Sequence, residues 1–285
     1  MDTGEGIADL HMHTTASDGM STVRERIEQA KEHDLDAIAI TDHDSISTDL
    51  EDRVKPVDGI ELITGVEARA EIDGTKIEIL GYYVDPSNRR LRDTLEEIRG
   101  LRHKRNRELT ERLNRVTGLD VSYDELRSEK PGVIGRPHFA EILVERGFVD
   151  SISQAFDEYL GRDRPAYVET EKLSYDEVLS VILGAEGVPS LAHPGRIRSD
   201  RVEEIVETLV GSGLEGIEVW YPYDESSIGM RSDVGVEEAN EIAEKHGLVK
   251  TGGSDCHGPG SGHFRIGSVR VPEEELEELR RRGFE

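Results

Sequence analysis

The chain has 285 residues, enough for one large α/β domain or for a barrel with an insertion around a sizeable buried core. Its formal charge of −26, from 61 acidic against 35 basic residues, disfavours non-specific binding to duplex nucleic acid or to anionic lipid. No apolar run is long enough to span a bilayer, and the acidic start MDTGEGIADLHMH does not read as a signal peptide, so a cytoplasmic protein is expected. Cys256 is the sole cysteine, which excludes an intrachain disulfide framework and fits a reducing compartment. Only 8 of the basic residues are lysine, and such acid-rich, lysine-poor composition resembles that of halophilic proteins, where high salt screens self-repulsion.

In chain order, ADLHMH (8–13) reads as a strand, followed by a helix over 22–33 with Ser21 or Thr22 as N-cap and Val23, Ile27 and Ala30 on one face. DAIAIT (36–41), GIELITGVEA (59–68) and KIEILGYYV (76–84) read as the next strands, and a long helix follows over 88–117. Further helices are expected at 137–147, 174–186, 199–212, 235–246 and 273–282, interleaved with strands at 188–194, 216–221 and 247–254. That alternation argues for an α/β fold. Residues 95–170 carry several helices and no clear buried strand. They read as a helical insertion dividing a barrel built from 1–94 and 171–285. The terminal EEELEELRRRGFE runs from acidic to basic, which suits a helix dipole without further function.

The chemically able residues fall at the strand ends. His11 and His13 close the first strand, His43 follows the second in ITDHD, and Glu67 closes the third in TGVEA. Glu78 sits within the fourth, His193 closes the fifth in LAHPG, and Asp255 and His257 follow the last in GGSDCHG. In a parallel barrel these ends meet on one face. His11 and His13, two apart on a strand, point to the same side and can share one metal, while Met12 points away and packs. So large a mixed set of imidazoles and carboxylates exceeds the needs of one ion and implies two or three. His33, His103 and His246 lie in helical runs and read as solvated. Cys256 alternates to the side opposite Asp255 and His257 and reads as packing.

The ordered set DLHMHTTASDG, ITDHD, GVEA, LAHPG and GSDCHG resembles the PHP (polymerase and histidinol phosphatase) family over essentially the whole chain. The resemblance implies a distorted, TIM-like (β/α)7 barrel with a trinuclear metal centre. It implies one metal on His11, His13, Glu67 and Asp255. A second would share Glu67 and add His193 and Glu78, and a third would take Asp18, His43 and His257. Many relatives carry His where this chain has Glu78. A carboxylate there adds negative charge and shifts the expected preference toward Mn or Fe over Zn.

Such a centre suits hydrolysis of phosphate esters by a metal-activated water. Arg136 and His138 in GRPHFA, Arg164 in GRDRPAYV and Arg196 after HPG are the candidate substrate-binding residues, since arginine forks match phosphate oxygens. The pairing of IGRPHFA with PAYV resembles the branch that removes the 3′-phosphate of nucleoside 3′,5′-bisphosphates and degrades short RNA from its 5′ end. A nucleotide or short oligonucleotide is thus the expected substrate. A metal-bound water, His193 or His138 could supply the leaving-group proton. The basic run 99–109 could guide an oligonucleotide, but a solvated face paired with neighbouring glutamates is the preferred reading. In YPYDES (221–226), Tyr221 or Tyr223 could stack on a base or simply pack. A histidinol-phosphate-type phosphatase and a non-catalytic metal-binding module are the alternatives.

Overall fold

The computed structural model describes residues 7–129, 134–169, 171–223, 230–259 and 265–284. The chain forms two compact units, one of residues 1–96 with 173–285 and the other of 97–172. The first is built on β1 (Ala8–Met12), α1 (Val23–Glu32), β2 (Ala37–Ile40), β3 (Val54–Val57), β4 (Ile60–Ile72) and β5 (Thr75–Tyr82). After the second unit it continues through α6 (Tyr175–Gly184), β6 (Val188–Leu191), α7 (Val202–Gly211), β7 (Gly216–Trp220), α8 (Val236–His246), β8 (Val249–Gly252) and α9 (Glu273–Phe284).

The strands order as β1-β2-β4-β5-β6-β7-β8, with β3 on the edge against β4. The seam between the ends is bridged where Met12 pairs with Cys256 and the His13 N–H donates to the Cys256 carbonyl at 3.0 Å. The result is the TIM-like barrel expected from the sequence, with two departures. The strands are not all parallel, because β5 runs antiparallel to both β4 and β6. The strand β3, of sequence VKPV, escaped the sequence reading because its proline and half-exposed residues suit only an edge. Two Asp-Gly turns create these departures. Asp58-Gly59 joins β3 to β4 and Asp73-Gly74 joins β4 to β5, all four residues at positive φ (53°, 91°, 48° and 78°). That is the turn whose twist matches a tight hairpin.

Thr22 caps α1 as expected: its hydroxyl accepts the Glu25 N–H at 3.3 Å, and the Glu25 carboxylate accepts the Thr22 N–H at 2.7 Å. Val23, Ile27 and Ala30 then pack with Met12, Ile38, Ile40 and Cys256. Met12 and Cys256 therefore face away from the ligand side of their strands, as the alternation requires.

The second unit is helical. It holds most of α2 (Arg89–Thr117), then α3 (Tyr123–Glu129), α4 (Arg136–Glu145) and α5 (Ile152–Ala155), the last running into a π-helical turn at Phe156–Leu160. Its own core gathers Leu109, Leu113, Tyr123, Leu126, Phe139, Leu143 and Leu160. The basic run 99–109 is spent within this unit: Arg102 and Asn106 are buried, Lys104 pairs with Glu171 at 3.0 Å and Arg107 with Asp124 at 3.5 Å. His103, expected to be solvated, is half-buried with its Nδ1 2.7 Å from the Tyr123 hydroxyl. In the barrel unit, His246 is likewise half-buried rather than solvated.

Candidate metal centre

The candidate-ligand loops after β1 and β8 are tied down by buried residues that are not themselves candidate ligands. After β1, the Asp42 carboxylate accepts the Thr14 N–H at 2.7 Å and the Thr14 and Ser17 hydroxyls at 2.6 Å, which shapes the turn that presents Asp18. Gly19 completes that turn because a Cβ there would lie 2.4 Å from the His13 carbonyl. After β8, the Asp9 carboxylate accepts from the Ser254 N–H at 2.9 Å, the Ser254 hydroxyl at 2.6 Å and the Gly267 N–H at 2.8 Å. The buried Arg26 guanidinium donates to the carbonyls of His13 at 2.8 Å and Cys256 at 2.9 Å, locking the seam beneath the site. His193 and Asp255 sit at φ 26° and 52°, a region L-residues seldom adopt, so the loops hold both against local strain.

Antiparallel β5 explains how Glu78 arrives. Parallel strands present residues from their C-terminal ends, whereas β5 presents one from its N-terminal half. Glu78 pairs across the hairpin with Arg69, and the Ala192 N–H donates to the Glu78 carbonyl at 3.0 Å, bringing the next residue, His193, alongside.

Glu67 stands in the middle. Its Oε1 lies 2.9 Å from His193 Nε2, and its Oε2 lies 2.7 Å from His43 Nδ1, 3.5 Å from His13 Nε2 and 3.6 Å from His11 Nε2. Asp255 Oδ1 is 3.0 Å from His13 Nε2 and 3.5 Å from both His11 Nε2 and His257 Nδ1. Asp18 reaches His257 Nε2 at 3.3 Å and His43 Nε2 at 3.8 Å. Glu78 Oε2 lies 3.5 Å from His193 Nε2. All nine sequence-predicted ligands are thus brought together.

Four groups could each hold an ion, their ligand atoms within 4.8 Å of one another: His13–Asp18–His43–His257, His11–His13–Asp255, His11–Glu67–His193 and His43–Glu67–Glu78. Among the described residues, buried His11 Nε2, His13 Nδ1, His43 Nδ1 and Glu67 Oε2 make no well-angled hydrogen bond, although His43 Nδ1 and Glu67 Oε2 approach to 2.7 Å. Unsatisfied polar atoms at such depth are costly. Their convergence fits divalent metal ions, which would satisfy them.

Burial drives each of these groups toward its neutral form, and their mutual charges decide the outcome. Against burial, His43 and His11 hold Glu67 well below the usual carboxylate range, and His11 and His257 do the same for Asp255. Burial likewise opposes the charge on His43, yet Glu67 and Asp18 hold it up to about 9. His13 goes the other way, lowered to about 3 by burial and by the charges of His257 and His43. In the metal-free site Glu67 and Asp255 are charged while His43 and His11 hold protons that metal ions would displace.

The comparisons with known proteins agree with this geometry. The family model of the PHP domain matches residues 9–211. A 3′,5′-nucleoside bisphosphate phosphatase of Chromobacterium violaceum is 31% identical over 264 residues, covering 91% of this chain and 90% of that protein. A 5′-3′ exoribonuclease of Haemophilus influenzae is 33% identical over 215 residues, covering 74% of this chain and 78% of that protein. A solved structure from Bifidobacterium adolescentis, described as a metal-dependent phosphoesterase, superposes with a TM-score of 0.78 at 30% identity, covering 98% of this chain and 96% of that one. The chain belongs to the PHP domain family. It is a metal-dependent hydrolase of phosphate esters.

The PHP centre contains a residue the sequence reading missed. Glu218, fully buried on β7, places Oε1 at 2.9 Å from His11 Nδ1 and accepts the His193 N–H on Oε2 at 2.7 Å. It turns His11 Nε2 into the site and holds the strained His193 backbone, the kind of outer partner that orients a ligating histidine. The one available signal was an acidic residue inside the otherwise apolar GIEVW. Glu218→Gln keeps the volume but loses the charge. It should weaken metal binding by about 10–100-fold with an unchanged circular dichroism spectrum. Wild-type affinity in metal titration would show that Glu218 does not act on the ligands.

The candidate substrate residues of this PHP chain divide between its units. In the barrel unit, Arg196 Nη1 lies 2.5 Å from the Tyr221 hydroxyl and 3.4 Å from Asp255 Oδ2, so it borders the ligand cluster. Tyr221 donates to Asp255 Oδ2 at 2.8 Å, and Tyr223 accepts the Gly195 N–H at 2.9 Å. Both tyrosines are buried and pack rather than stand open for a base. Residues 224–226 of the YPYDES stretch lie outside the described residues. Arg136, His138 and Arg164 belong to the second unit. There Arg136 donates to the Leu160 carbonyl at 3.2 Å, His138 Nδ1 accepts the Gly135 N–H at 3.0 Å, and Arg164 is exposed.

Proposed function

We propose that this chain hydrolyses phosphate esters of nucleotides, as a 3′-phosphatase of nucleoside 3′,5′-bisphosphates, as a 5′→3′ exonuclease on short RNA, or as both. The observation that carries this reading is the convergence of nine histidine and carboxylate side chains, Glu67 among them, at one end of a PHP barrel. The activities named for the Chromobacterium and Haemophilus relatives support the nucleotide class.

Two or three divalent ions fit the donor set. His11, His13 and Asp255 would serve one and His193 with Glu78 a second, Glu67 bridging them, while Asp18, His43 and His257 would serve a third. When bound, such ions supply a water of lowered pKa and neutralise charge on the phosphoryl oxygens. The carboxylate of Glu78 beside Glu67 favours Mn or Fe over Zn. Arg196, at the border of the cluster, binds a phosphate oxygen. Arg136, His138 and Arg164 are proposed substrate residues on the resemblance alone, and His193 and His138 are the candidates for the leaving-group acid.

The test is a phosphate-release assay on protein reconstituted with Mn²⁺. Adenosine 3′,5′-bisphosphate, AMP, histidinol phosphate and a short 5′-phosphorylated RNA are the substrates. Turnover of the bisphosphate or stepwise shortening of the RNA is expected. Exclusive turnover of histidinol phosphate, or none of any substrate, would overturn the reading.

A further inference from the structure

Outside the nine ligands, Arg69 is in direct contact with the cluster and plays no part in the function proposed above. It sits two residues after Glu67 on β4, on the same face of the strand, and directly opposite Glu78 in the hairpin register. Its Nε donates to Glu78 Oε1 at 3.0 Å. The two oxygens of Glu78 are therefore divided: Oε1 faces the guanidinium, and Oε2 faces His193 Nε2 at 3.5 Å. The Arg69 N–H donates to Asp44 Oδ1 at 3.1 Å, which fixes this backbone position to the loop that carries His43.

Charge makes the division meaningful. Glu67 acts on Glu78 as a like charge, and Arg69 is foremost among the cations that offset it. Asp255 has a comparable neighbour in Arg196 at 3.4 Å. Glu67 instead has histidines on every side. An imidazole in place of Glu78 would bring no charge and need no partner. A carboxylate there adds repulsion, and only a cation held at a fixed angle both relieves it and leaves one oxygen turned inward.

We propose that Arg69 is a positioning residue, which neutralises and aims the Glu78 carboxylate so that Oε2 serves as a metal ligand beside His193. This rests on the reading of Glu78 as a ligand. A cross-strand ion pair on a half-exposed hairpin with no such role would do no more than support strand pairing.

The experiment is equilibrium dialysis against Mn²⁺, with bound metal counted by elemental analysis. It compares wild type with Arg69→Gln, Arg69→Lys, Glu78→Gln, Glu78→His and the double variant Arg69→Gln/Glu78→His. Arg69→Gln should weaken one ion by about 10–100-fold. Arg69→Lys keeps the charge without the planar fork and should lose less. The double variant should bind as Glu78→His does, because the imidazole needs no counter-charge. Circular dichroism verifies folding, and Arg69→Lys provides the measurement if Arg69→Gln does not fold. Wild-type Mn²⁺ binding by Arg69→Gln, or an equal loss from that change in the Glu78→His background, would overturn the proposal. Unchanged binding by Glu78→Gln would overturn the ligand reading and the proposal with it. A loss in Glu78→Gln without one in Arg69→Gln would overturn only the role of Arg69.

Discussion

Replacing Glu67 with Gln leaves the protein without a functional metal centre. Four imidazole nitrogens lie between 2.7 and 3.6 Å from its two oxygens, so its charge is the common partner of His11, His13, His43 and His193. Gln is nearly the same size but holds no charge, and its amide nitrogen is a donor that cannot accept from a ring N–H. Removing an outer partner of a ligand costs about 10–100-fold in metal affinity, and removing the central carboxylate costs more than about 100-fold. Bound Mn²⁺ by elemental analysis and phosphate release should fall together. The proton affinity of His43 should drop as well, because Glu67 is the first of the charges that hold it up to about 9 against burial. In NMR titration of the metal-free variant, His43 should therefore lose its proton at lower pH than in wild type. Full metal content in Glu67→Gln would remove Glu67 from the centre.

Arg26→Ala should have the largest effect on stability. Arg26 is 1% exposed. Its guanidinium donates to the His13 carbonyl from both Nε at 3.0 Å and Nη2 at 2.8 Å, to the Cys256 carbonyl at 2.9 Å, to Cys256 Sγ at 3.1 Å and to Gln29 at 3.0 Å. These bonds join the two strand ends that close the barrel. Truncation strips the His13 carbonyl of both guanidinium donors and the Cys256 carbonyl, which keeps the His13 N–H, of one, and it leaves a cavity the size of a long side chain. Each unsatisfied group costs about 1–3 kcal/mol, so a total loss of roughly 3–5 kcal/mol is expected. The melting temperature should fall by on the order of 10 °C. A change within about 1 °C in calorimetry would mean that the seam does not depend on Arg26.

The candidate ligand set was legible because metal chemistry restricts residue types and barrels restrict their places. His11, His13, His43, His193, Asp255 and His257 lie at or just after the end of a strand whose apolar pattern is local, whereas Glu67, expected to close its strand, lies inside β4, which runs on to Ile72. Thr22, one of two N-cap candidates, announced the start of α1 in the same local way. The loop residues Asp9 and Asp42 and the seam residue Arg26 were not legible. Each acts on a backbone far away in the chain, and its own neighbours in sequence carry no trace of that partner. Glu218 was hidden for the same reason, since its partners His11 and His193 are 207 and 25 residues away.

By itself the sequence determined the alternation of strands and helices, the family and the residues able to hold metal, because hydrophobic period and ligand type are properties of short segments. Tertiary structure decided the rest. It reversed β5 through an Asp-Gly turn, so that Glu78 reaches the site from mid-strand with Arg69 across the ladder. It also placed Glu218 behind His11 and Glu67 between four histidines. Those outcomes depend on which strands lie side by side and in which register. Register is a property of pairing between distant segments, and no single segment contains it.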